Sequence, residues 1–290
     1  MSWSIPARAV LAAVLINLLW GGNPVALKLG LEAFPPLWSG LLRFALGSAC
    51  VAAWALYARI PLKPERHEWP ALLGIGVLFT LQLALMNIGF ERTSAVNGAV
   101  LIATNPLFGV LFAHFLVPGD RLRPGRALGA LVAFGGTALV LTRGAGPAGG
   151  AGLGDWIVLA SAVLLGLRLA LSGRLLRRVN AVRLTLWQML ISLPLFAAGA
   201  LAVETVRVDR IGFAPVAGIL YQGVVVAGLA FTVNFQLIRR YTPSVVISFN
   251  FLAPVIGVLL GAAILAERVT AGLVGGMLLV AAGLVLITRK

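Results

Sequence analysis

Apolar residues along the chain fall into long runs separated by short polar gaps. The runs cover about 9–31, 36–58, 69–90, 95–117, 123–142, 154–173, 183–203, 213–237, 244–265 and 270–288. Each is close to the roughly 20 residues that a helix needs to cross the hydrocarbon of a bilayer. Backbone polar groups in lipid must be satisfied within their own segment, so runs of this kind predict helices. The short segments of alternating polarity that make a membrane β-barrel are not visible. The gaps carry the expected breakers: Pro35-Pro36, Pro61-Leu62-Lys63-Pro64 and Pro118-Gly119-Asp120. Residues 144–154, GAGPAGGAGLG, form a low-complexity linker at mid-chain.

The two sides of that linker repeat one another. PLFGVLF (106–112) matches PVIGVLL (254–260). Asp120-Arg121 then aligns with Glu267-Arg268, and Gly125, Gly129 and Gly136 align with Gly272, Gly276 and Gly283. ALVLTR (138–143) matches LVLITR (284–289). Earlier in each half, Leu18-Leu19 and Lys28 align with Leu164-Leu165 and Arg174. The chain therefore divides into halves 1–147 and 148–290, each with five runs. Five is odd, so the second half enters the membrane in the opposite sense, as in many secondary transporters. The expected fold is an all-α membrane protein with ten transmembrane helices in two inverted five-helix repeats.

Composition strengthens this picture. Of 290 residues, 60% are apolar and 11% charged, against about 25% charged in a soluble domain. The net charge of +14 invites a nucleic-acid reading, but the basic residues are dispersed through the gaps. With the N-terminus in the cytoplasm, fifteen Lys and Arg fall on the cytoplasmic side and six outside. That bias is the positive-inside rule, and an even number of spans puts both termini in the cytoplasm. Arg8 begins the first run, but no cleavage site follows, so the run reads as the first span rather than a signal peptide. The single cysteine, Cys50, lies in an apolar run and reads as a small buried hydrophobe.

Candidate functional groups are polar or aromatic residues inside the runs. Asn17, Trp20, Pro24 and Lys28 share one face of the first helix. Pro24 cannot donate to the carbonyl of Trp20, and a freed carbonyl is tolerated in a membrane where it faces protein or a wet cavity. Trp20 and Asn23 are therefore expected to line a substrate cavity, the indole stacking on the solute and the amide meeting its carboxylate or amine. The alternative is a proline kink packed by neighbours. Lys28 could contact substrate or pair with Glu32. Arg43 is read the same way, as substrate contact or an ion pair, and Arg168 as snorkelling to the interface. Gln82, Trp187, Tyr221 and Asn250 are further binding candidates, although polar side chains also join helices. His114 reads as an interface residue. Gly125/Gly129 and Gly272/Gly276 permit close helix contact, within each repeat or between two copies.

LLWGGNPVALKLGLE (18–32), Arg43 in LLRF (41–44), ATNPLFGVLF (103–112), FLAPVIGVLL (251–260) and the Ala266-Glu267-Arg268 turn together resemble the drug/metabolite transporter superfamily, in its family with two EamA domains. The family's turn has Gly where this chain has Ala266. The chain also resembles bacterial aromatic amino-acid exporters of the YddG type. The resemblance implies export of amino acids or related small metabolites from an inner membrane, with small-molecule substrate and membrane lipid as partners and no cofactor. No Asp or Glu falls in the middle of a run, which argues for facilitated transport rather than strong proton coupling. The chain has no P-loop and no metal-ligand set, so it is not expected to be an enzyme. A lipid flippase or scramblase, or a hydrophobic-drug exporter of the same fold, is the alternative.

Overall fold

A computed structural model describes residues 7–116, 124–143, 151–176, 178–231, 233 and 252–288, and these form helices with no strand among them. The first group is α1 (Ala7–Ala33), α2 (Pro36–Tyr57), α3 (Trp69–Glu91), α4 (Ala95–Ile102), α5 (Asn105–Leu116) and α6 (Pro124–Arg143). The second is α7 (Leu153–Leu175), α8 (Ala181–Val203), α9 (Phe213–Leu220), which runs on as a π-helical segment (Tyr221–Ala230), α10 (Leu252–Leu265) and α11 (Ala271–Thr288). Among the described residues, seven stretches are long and apolar enough to cross a membrane: Val14–Ala33, Pro36–Tyr57, Arg66–Glu91, Ala95–Leu116, Leu153–Leu175, Ala181–Val203 and Phe213–Ala230. Ala127–Arg143, Leu252–Leu265 and Ala271–Leu286 are shorter apolar helices. Leu131, Phe134 and Leu278 stand exposed on the outside of the bundle, as a lipid-facing surface requires.

Local chemistry sets the helix ends. Pro36 opens α2, where its missing N–H costs nothing. Ser94 caps α4 by accepting from the Asn97 N–H at 3.1 Å, and Asn180 caps α8 through the Val182 N–H at 2.9 Å. The run expected as one helix over 95–117 is broken at Ala103-Thr104. Pro106 cannot donate to the Ile102 carbonyl, and the residue before a proline is pushed away from helical geometry. The Asn105 side chain makes the bond instead, Nδ2 to the Ile102 oxygen at 2.8 Å.

α1 packs on α9 and α10, α7 packs on α3 and α5, and α2 lies against α8 and the π-helical segment. Buried Phe44, Phe79 and Phe196 meet at the centre. Phe44 and Phe79 pack edge-to-face with centroids 4.8 Å apart, and Phe196 stacks on Phe44 at 5.9 Å. The glycine rows do something the sequence did not suggest: they join the two halves. A methyl group on Gly136 would sit 2.6 Å from the Gly276 carbonyl oxygen, and one on Gly283 would sit 2.5 Å from that of Gly129. α6 and α11 therefore pack backbone to backbone across the halves, while Gly125 meets nothing within 4 Å.

One end of the bundle, near Lys28, is closed by carboxylates from other helices. Glu204, just past α8, accepts from the Leu37 and Trp38 N–H groups at 3.0 Å and caps α2. Glu267, just past α10, accepts from the Ala95 and Val96 N–H groups at 2.8 Å and caps α4. A carboxylate at a helix N-terminus meets both free donors and the positive end of the helix dipole. Burial pushes the Glu204 carboxyl above its ordinary range, opposed by those two N–H groups. The Thr93 hydroxyl donates to Asp155, which also accepts from the Gly152 N–H at 2.9 Å. Arg207 pairs with Glu91 at 3.1 Å and donates to the Leu31 carbonyl at 3.0 Å.

Candidate functional site: the polar interior of the bundle

The proline in α1 does not stop the helix, and neighbouring groups accommodate it. The Tyr221 hydroxyl donates to the Leu19 carbonyl at 2.8 Å, one residue from the carbonyl that Pro24 leaves without a donor. Gly22 makes this approach possible, since a methyl group there would lie 2.5 Å from the Tyr221 oxygen. Trp20 is half-buried and packs edge-on to Phe231 at 6.1 Å. Asn23 is half-buried with an unpartnered side-chain oxygen. Thus Trp20, Asn23 and Tyr221, three of the residues singled out from sequence, gather on the α1 segment around Pro24. Tyr221 opens the π-helical segment, an irregularity that often marks functional positions.

Deeper in the bundle are two arginines. Arg43 of α2 is 5% exposed and Arg168 of α7 is 8% exposed. The Arg43 guanidinium carbon lies 5.2 Å from the centroid of Phe44, and that of Arg168 lies 4.9 Å from Phe79, so each rests on one ring of the edge-to-face phenylalanine pair. Arg168 Nη1 donates to Gln188 Oε1 at 3.0 Å. Among the described residues, Arg43 Nε and Nη1, and Arg168 Nε, are buried without a hydrogen-bond partner. Sequence reading had Arg168 snorkelling to the interface; it is instead turned inward and held by Gln188. A cation over a ring gains about 0.5–2 kcal/mol, whereas an uncompensated charge in the interior costs several kcal/mol. The ring contacts alone do not balance the two charges.

The other candidates serve as joints. Gln82 and Ser161 exchange two hydrogen bonds, Gln82 Nε2 to Ser161 Oγ at 3.0 Å and Ser161 Oγ to the Gln82 carbonyl at 2.8 Å, tying α3 to α7. Lys28 donates to the Phe90 and Thr93 carbonyls at 3.0 and 2.9 Å, finishing the C-terminal end of α3. It does not donate to Glu32, the partner suggested by spacing. Trp187 lies at the opposite end of the bundle, its indole N–H on the Leu62 carbonyl at 2.8 Å and its ring against Trp69. Asn250 lies outside the described residues. Glu204, Glu267 and the Phe44–Phe79 pair were not found from sequence. The only available sign was the duplicated acidic turn that holds Glu267.

A groove of about 580 Å³ opens between α6 and α7, lined by Phe134, Thr137, Leu141, Thr142, Trp156 and Leu159 among others. Its threonine hydroxyls donate to carbonyls of their own helix, Thr137 to Ala133 at 2.9 Å and Thr142 to Ala138 at 2.8 Å. Among the described residues it is an apolar surface, unlike the bundle interior.

Membrane-length helices wrapped around arginine, glutamine and asparagine side chains define a polytopic membrane protein with a polar interior. Comparison with known proteins identifies its kind. The model of the EamA-like transporter family matches residues 7–142 and again 152–289, so the chain belongs to that family. It is 24% identical to an uncharacterized transporter of Archaeoglobus fulgidus, across 98% of both chains. It is 27% identical to a protein of Streptantibioticus cattleyicolor named "Probable terminal-alkyne amino-acid exporter", across 98% of this chain and 94% of that one. It is 25% identical to YedA, an uncharacterized inner membrane transporter of Escherichia coli, across 85% and 79%. A solved crystal structure shares the fold with a TM-score of 0.69 at 23% identity, covering 97% of this chain and 96% of that one. The relatives are named transporters, and the protein is a membrane transporter of this family.

Proposed function

We propose that the protein is a secondary transporter that exports amino acids, aromatic or otherwise apolar ones, and related small metabolites by alternating access. The observation that carries the substrate class is the likeness, across 98% of the chain, to the protein named as an amino-acid exporter. Trp20, Asn23 and Tyr221 around the α1 proline supply an aromatic and amide surface suited to such a solute. Lys28, Gln82 and Trp187 act in this reading as the joints that hold the helices lining the path, and Asn250 remains a candidate contact.

The architecture proposed is ten spans in two inverted repeats, 1–147 and 148–290. Exchange of contacts between the halves supports it. α1 packs on α9 and α10 as α7 packs on α3 and α5, and α2 meets the π-helical segment as α8 meets α3. The charge bias supports an orientation with both termini in the cytoplasm, in an inner membrane. The lack of an acid in mid-span supports transport driven by the solute's own gradient.

The test is uptake of labelled phenylalanine, tryptophan, leucine and threonine into proteoliposomes, with and without a pH gradient. Saturable uptake of the apolar members, indifferent to the gradient, is expected. No uptake of any of them by folded protein would overturn the proposed substrate class.

A further inference from the structure

Arg43 and Arg168 are buried with no carboxylate bound to either among the described residues. Of the nine acidic residues, the eight in the described part all lie in the first or last turn of a helix or in the turns between helices. Asp120 falls between apolar runs in the sequence. Arg43 is seven residues from the start of α2 (43 − 36), and Arg168 is seven residues from the end of α7 (175 − 168). At 1.5 Å per residue each lies about 10 Å inside the bundle, approached from opposite ends. Each guanidinium rests on one ring of the contacting Phe44–Phe79 pair, which links them.

The first station has more unsatisfied groups than the arginine alone. Ser39, one turn before Arg43 on the same face of α2, is fully buried with an unpartnered hydroxyl. Gly223 lets the π-helical segment pack tightly on this part of α2, since a methyl group there would sit 2.7 Å from Leu46 Cβ and 3.1 Å from the Arg43 carbonyl oxygen. Arg168 differs in having Gln188 as an orienting partner, with its Nε still free. Buried donors without partners mark an ion or solvent site, and intramembrane cations usually face a substrate path.

We propose that Arg43 and Arg168 are two stations for the carboxylate of the transported solute, one on each side of the midplane. The phenylalanine pair between them offers an aromatic step for the apolar part of the molecule. The inference rests on the reading of the protein as a solute carrier and narrows it: the cargo must bear an anionic oxygen group, while its amine is dispensable for binding here. A planar guanidinium suits this task because it presents parallel donors to the two oxygens of a carboxylate.

The test uses the whole protein in lipid nanodiscs and follows thermal unfolding with 3-phenylpropionate or its uncharged amide, 3-phenylpropanamide. The acid is expected to raise the melting temperature and the amide to leave it unchanged. In Arg43→Gln the acid should bind roughly ten- to a hundredfold more weakly, the loss expected for hydrogen bonds to a charged group. An amide that stabilises as well as the acid, an acid that leaves the wild type unmoved, or an Arg43→Gln protein that binds the acid undiminished would each overturn the proposal. Uptake of labelled phenylalanine by the same proteins separates this from the function itself. Transport that is equal in wild type and Arg43→Gln sinks the arginine stations and leaves the carrier standing. Acid binding through Arg43 without amino-acid uptake does the reverse.

Discussion

Arg183 and Arg43 are buried to nearly the same degree, 8% and 5% exposed, yet the chain treats them in opposite ways. Arg183 stands at the Trp187 end of the bundle beside the carboxylate of Glu68, with Nη1 2.8 and 2.6 Å from its two oxygens and Nε 3.4 Å from the Pro61 carbonyl. Glu68 in turn accepts from the Glu65 N–H at 2.8 Å. Arg43 has its own phenylalanine ring and two unpartnered nitrogens. The same contrast runs through the molecule. Among the described residues the carboxylates gather at the helix ends, where Glu204 and Glu267 cap neighbouring helices and Glu68 and Asp155 are buried, and none lies in mid-helix. Where the fold needs a charge it supplies the partner; where it leaves a charge open, the partner comes from outside.

The comparison fails most visibly if the two arginines respond alike to the same change. Arg183→Gln strands a buried Glu68 carboxylate and should lower stability by about 3–5 kcal/mol, read as a large drop in melting temperature in detergent or nanodiscs. Glu267→Ala leaves the Ala95 and Val96 N–H groups uncapped, and a loss of about 2–3 kcal/mol is expected by the same measurement. Arg43→Gln should go the other way in the ligand-free protein, raising stability by about 1–2 kcal/mol, because removing an uncompensated charge relieves its desolvation. A melting temperature that falls with Arg43→Gln would make that arginine structural. The smallest effect is at Ala266, whose φ of 51° lies in the left-handed region. Glycine stands there in the family's turn, and Ala266→Gly should gain about 1 kcal/mol, with the Glu267 cap unchanged.

Much of the helical layout could be read from hydrophobic runs, because a bilayer demands both length and apolarity. Prolines located the breaks, although the interruption at Ala103-Thr104 was hidden inside a continuous apolar run and became visible only through the Asn105 side chain. The site was legible in part. Proline chemistry drew attention to α1, and Tyr221 does reach it. Lys28, Gln82 and Trp187 were recognised as polar groups in apolar surroundings, but what they bond to depends on which helix lies next to them. Periodicity gives a residue its face and not its neighbour. For that reason Arg168 read as a snorkelling side chain, and the glycine rows read as packing within a repeat. The capping by Glu204 and Glu267 joins residues more than 160 positions apart, a separation that no local pattern records.

The claim that this is a carrier with alternating access is tested most directly by exchange. Liposomes containing the protein are loaded with unlabelled phenylalanine, and entry of labelled phenylalanine is compared with entry into empty liposomes. Faster entry into the loaded vesicles is expected, since a carrier returns sooner when its site is filled on both sides. Equal rates, or no protein-dependent entry at all, would contradict the account.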